Sequence, residues 1–87
     1  MEKPDYFMHL DLPTLGKVGL IEGKGIHWFI AMTKAKGDVG LMFKYLLLQL
    51  LYVNDKPVDE KFIDDIPIKD ASYLTSVLGT MIEEKYI

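Results

Sequence analysis

Three groups of residues in this 87-residue chain are of types that do chemistry elsewhere: Gly23-Lys24-Gly25, the acids between Asp55 and Asp65, and the histidines His9 and His27. A phosphate-binding loop needs a glycine five residues before its Gly-Lys pair and a Ser or Thr after it. Val18 and Gly25 stand at those positions, so the stretch reads as a turn ahead of a helix. A calcium loop alternates oxygen ligands around a central glycine and closes with a glutamate. Asp55, Asp59, Glu60, Asp64 and Asp65 have Pro57 and Val58 among them and no glycine, so they read as a solvated acidic stretch. His9 and His27 lie 18 residues apart without HxxxH or HxH spacing, and zinc requires three or four ligands. Spacing supports no Ser/His/Asp set either. The expectation is a chain that is not an enzyme and holds no metal and no cofactor.

The composition narrows the partners. All ten basic residues are lysines, and the net charge is −3. Arginine supplies the bidentate forks that read phosphate and guanine edges, so its absence argues against nucleic acid. A helix-turn-helix at Gly37-Asp38 would place a leucine-rich helix with one lysine in the groove, which offers almost no base-reading side chains. There are no cysteines, which excludes a disulfide scaffold. Met1 to Asp5 are charged and include a proline, so no signal peptide is expected. The longest apolar run, Leu41–Val53, is broken by Lys44 and Gln49 and is too short for a bilayer. A protein partner in the cytoplasm remains, and 49% apolar residues is generous for so small a body.

The elements that would position these residues follow from pattern. Residues 6–12 alternate weakly, with Met8, Leu10 and Leu12 on one side, and suit a short strand or extended arm ending at Pro13. The glycines at 16, 19, 23 and 25 suggest a loop or broken helix. Gly25–Lys36 has helical spacing, with Ile26, Phe29 and Ile30 on one face. Gly37 suits a left-handed helix stop and Asp38 the cap of the next helix, which runs from Val39 to about Val53. Asn54-Asp55-Lys56-Pro57 is a turn. Asp59 caps a short acidic helix, and Pro67 opens a last helix to about Lys85. Its core face carries Ala71, Leu74, Leu78, Met81 and Ile82, and its wet face Ser72, Ser76, Gly79 and Glu83.

In the middle helix, 11 of the 13 residues from Leu41 to Val53 are apolar. Either neighbours bury it on every side, or one stripe faces another chain. The candidate binding residues are Lys44, Leu47 and Leu51 on one stripe, and Tyr45 and Tyr52 on another. The fold expected is an all-α bundle of three to four helices, one domain of 1–87, with an arm and glycine-rich loop (1–22) before the bundle (23–87).

The order of these features resembles the small tail assembly chaperones of long-tailed bacteriophages and prophages. There, an apolar helix is followed by a turn of the form (I/V)-(N/D)-(G/D)-K-P-(V/L), then acids, then an Asp-headed amphipathic helix. The matching residues are Val53, Asn54, Asp55, Lys56, Pro57, Val58, Asp64, Asp65, Asp70 and Leu74, within about residues 24–83. That family often begins with a strand pair carrying Arg-Pro, where this chain has Leu12-Pro13-Thr14. The resemblance implies a non-enzymatic factor in the bacterial host cytosol. It would bind the tape-measure and tail-tube proteins during tail building and be missing from the finished virion. A generic homo-oligomeric adaptor domain, or a small ligand-binding or transcription-related module, are the alternatives that the residues leave open.

Overall fold

Alternating side chains over Tyr6–Leu12 build a first strand, β1, whose Met8, Leu10 and Leu12 turn inward. It pairs antiparallel with β2 (Gly16–Ile21) through the turn Pro13-Thr14-Leu15. Gly16 follows the turn at φ +84, a left-handed conformation that costs glycine little. The computed structural model describes residues 4–83. Two helices follow, α1 (Gly25–Ala35) and α2 (Val39–Leu50), and the chain then returns to the sheet as β3 (Leu51–Val53) and β4 (Lys56–Pro57). Two more helices close the fold, α3 (Glu60–Asp65) and α4 (Ile68–Glu83).

The all-α expectation is therefore corrected: the protein is an α+β fold. A four-stranded antiparallel sheet in the order β1-β2-β3-β4 is joined by the four helices. Two stretches account for the error. The first half of the glycine-spaced segment is not loop or broken helix but β2, which buries Val18 and Leu20, and only residues 22–24 remain loop. The middle helix does not run on to Val53. Leu51 takes extended angles, its N–H closes the helix on Leu47 O, and its backbone then pairs with Leu20. Asn54 and Asp55 both adopt positive φ, the two-residue turn that twists correctly for a hairpin, and Tyr52 pairs with Pro57 across it. Pro57 lies on the edge strand, where a missing N–H is tolerated.

The helix signals behave as their chemistry predicts. Lys36 and Gly37 turn the α1–α2 corner at positive φ, and the Asp38 carboxylate accepts the Leu41 N–H at 3.3 Å. The Asp59 carboxylate accepts the Phe62 N–H at 2.8 Å and caps α3. Leu74 and Leu78 of α4 are buried as their spacing requires, whereas Ala71, Met81 and Ile82 are half-buried. The position near Lys85 that would end the last helix lies outside the described residues. The core joins Leu12, Val18 and Leu20 of the hairpin to Leu46, Leu47 and Leu50 of α2, with Ile63, Leu74 and Leu78 added by α3 and α4.

Candidate protein-binding face

The five candidate binding residues do not come together. Leu47 and Leu51 keep 5% and 0% of their surface exposed, because α2 lies over the sheet and Leu51 already belongs to it. Their assignment to a partner face is withdrawn. Lys44 does not mark a wet stripe: its Nζ lies 2.9 Å from Glu60 Oε2 and 2.9 Å from Asp64 Oδ1, tying α2 to α3. Hydrogen bonds to Asp64 and then Glu60 hold its pKa above the ordinary lysine value. Tyr45 is half-buried, with the Lys34 and Lys44 ammonium groups 5.9 and 5.7 Å from its ring centroid. Tyr52 lies on the sheet, edge-on to the Tyr6 ring at 6.0 Å.

Tyr6 belongs with Tyr52 because of an irregularity in β1. One extra residue between Tyr6 and Met8 puts Tyr6 beside His9, whose ring centroid is 4.9 Å away, instead of under the sheet with Met8. Gly19 makes room for it: a Cβ there would stand 2.5 Å from the Tyr6 ring. The Tyr6 hydroxyl donates to Asp55 Oδ1 at 2.6 Å. Partial burial and that hydrogen bond raise the phenol from 10.0 to about 12. The Tyr6–Asp55 hydrogen bond ties β1 to the β3–β4 turn. His27 is likewise engaged, its Nδ1 accepting the Lys24 N–H at 2.9 Å at the start of α1. Among the described residues, no group of three or more His, Asp or Glu is placed to hold a metal ion.

The exposed apolar surface lies instead on α1. The helix packs on α2 through its two small residues, Ala31 and Ala35, both buried. Gln49 fixes the pair, its Nε2 donating to His27 O at 2.9 Å. With the alanines inward, the large side chains point out: Ile26 is 58% exposed and Phe29 59%, with Trp28, Ile30 and Met32 also exposed. At about 100° per residue, the arc from Trp28 through Met32, Phe29 and Ile26 to Ile30 covers roughly 200° of the helix. Thr33 lies within the arc, but its hydroxyl donates to Phe29 O at 2.9 Å. Val39 and Leu41, in the first turn of α2, are exposed as well. On the Trp28 side the arc meets an open groove of about 790 Å³, lined by Phe7, Met8, Trp28, Val77, Met81 and Ile82 among others.

The sequence carried part of this signal. The helical spacing of Ile26, Phe29 and Ile30 was plain, but spacing does not say whether a face points in or out. The Ala31/Ala35 pair, the only side of α1 narrow enough for close approach to another helix, was the clue to its orientation. No helix among the described residues is long and apolar enough to cross a membrane. Searches of family models, of curated proteins and of solved structures return no match to this chain.

Proposed function

We propose that the protein is a non-enzymatic protein-binding factor that uses the outward face of α1. The observation that carries the reading is the orientation of that helix. Alanines line its buried side, and Ile26, Phe29, Ile30 and Met32 meet water. Folding covers only part of those side chains, and the apolar surface left exposed favours a partner that removes it from water. A tail assembly chaperone is the specific form proposed, a small factor that holds an apolar surface for other tail proteins. The resemblance over about residues 24–83 supports this form, and the β1–β2 hairpin offers a strand pair like the one with which that family begins. A homo-oligomeric adaptor would use the same face.

Serine substitution at Phe29 tests the binding reading. Phe29→Ser should leave the thermal midpoint within a few degrees of the parent, since surface changes shift stability by about 0.5 kcal/mol or less. It should also lower the fluorescence of a hydrophobic dye added to the folded protein. An unfolded variant, or unchanged dye binding, would remove α1 as the binding face. Gene order tests the chaperone form separately. A tape-measure gene directly downstream supports it, and an operon of metabolic genes overturns it.

A further inference from the structure

The two outer strands of the sheet differ. β4 is two residues long, and one of them is Pro57, which has no N–H to donate. β1 is seven residues long and contains neither proline nor lysine, the residues that commonly blunt an edge. Among the described residues, the backbone of β1 has no hydrogen-bond partner outside β2. The core is open on the same side. Met8 and Leu10 face inward like Val18 and Leu20 of β2, yet they are only half-buried where the β2 pair is buried. We infer that β1 pairs antiparallel with β1 of a second copy of this chain, about a two-fold axis at Leu10. The interface uses none of the residues assigned to the α1 face.

The residues of β1 select that register. Pairing about Leu10 sets Leu10 opposite Leu10 and Met8 opposite Leu12 on the inward face, and His9 opposite Asp11 on the outward face. His9 and Asp11 are exposed, and among the described residues neither takes part in an ion pair. Directly opposed residues have Cβ atoms about 4.5–5.5 Å apart, close enough for an imidazole and a carboxylate to meet. Asp11 already faces Lys17 of β2, so its carboxylate lies between a lysine of its own sheet and the His9 ring of the second copy. The neighbouring registers are worse. A centre at Asp11 sets Asp11 against Asp11, and a centre at His9 sets Phe7 against Asp11 and runs into the irregularity between Tyr6 and Met8.

Such an assembly closes at two copies. The joined sheet runs β4-β3-β2-β1-β1-β2-β3-β4, so each of its outer strands is the short β4 with Pro57. A two-fold contact occupies the long edge of both copies at once and leaves none for a third.

Light scattering over a wide range of concentrations should show the 10.0 kDa chain passing from monomer to dimer and no further. Amide exchange should slow over residues 8–12 as the dimer forms. His9→Glu sets a second carboxylate against Asp11, and Asp11→Lys takes the acceptor from His9 and puts a cation there. Each change acts at both symmetric pairs and should weaken the dimer at least about tenfold, since unfavourable pairs directly opposite destabilise a sheet. An equimolar mixture of the two variants should dimerise again, because the introduced glutamate then faces the introduced lysine and the remaining His9 faces the remaining Asp11. Both positions are exposed, and circular dichroism verifies that the variants stay folded. A monomer at every concentration overturns the inference. So does a dimer that both variants leave intact, or one whose slowed exchange lies away from residues 8–12. A dimer lost in Phe29→Ser and kept in the charge variants belongs to α1, and the binding role of that helix then stands while the β1 pairing falls.

Discussion

Asp70 ties the first hairpin to the last helix. Fully buried in the first turn of α4, it accepts the Thr14 N–H on one carboxylate oxygen and the Leu15 N–H on the other, both at 2.9 Å. The β1–β2 turn has no other described partner for these two part-buried donors, and a backbone N–H left unpaired there is costly. The position near a helix N-terminus further favours a negative group. Asp70→Ala should cost about 3 kcal/mol, the scale of two hydrogen bonds to a charged group at roughly 1.5–3 each. Asp70→Asn should recover only part of this, because the amide turns an NH₂ toward one of the two donors. Denaturant melts of both variants decide the matter, and a wild-type midpoint for Asp70→Asn would show that only one bond counts. Tyr6 and Lys44 make stability depend on pH. Both have folded pKa values raised above their unfolded ones, so their stabilisation is complete below about pH 10 and is lost as pH rises beyond it, for Tyr6 through about 12. The melting temperature should fall over that range, and less steeply in Tyr6→Phe. An identical slope in the variant would show that Tyr6 contributes nothing there.

The elements show what sequence pattern can and cannot convey. Features set by neighbours along the chain were legible. Gly37 and Asp38 turn and cap the α1–α2 corner, Asp59 caps α3, and the four-residue step from Leu74 to Leu78 identifies the buried side of α4. Features set by distant partners were not. Leu51, Tyr52 and Val53 continue a leucine-rich run and become strand only because β2 is there to pair with them. Gly16 and Gly19 masked β2, although one turns the hairpin and the other accommodates the Tyr6 ring. The candidate site failed for the same reason. Extending α2 to Val53 placed Leu51 on a stripe with Lys44, whereas the true helix ends at Leu50 and Lys44 is held by α3. Phe29→Ser asks whether a whole helix presents its large side chains to a partner instead of to the core.

Across the whole molecule, α1 stands apart from the sheet. Its substantial packing is with α2 alone, through two alanines and the Gln49 hydrogen bond, whereas α2 also packs on α3 and β4 and places Leu46, Leu47 and Leu50 in the core. Elements with little buried apolar contact open locally at lower free energy than the global transition. Trp28, on α1, should therefore report a transition several degrees below the loss of helix seen by far-ultraviolet circular dichroism. Amide exchange should likewise be faster over 25–35 than over 39–50. Leu51→Ala separates the two events from the other side. It deletes a fully buried side chain at the junction of α2 and the sheet, at a cost of about 2–5 kcal/mol. That loss should lower the circular dichroism midpoint toward the Trp28 midpoint and merge the transitions. Coincident transitions in the unliganded wild-type protein would mean that α1 folds and unfolds with the sheet. The alanine contact with α2 would then be stronger than two buried methyl groups account for.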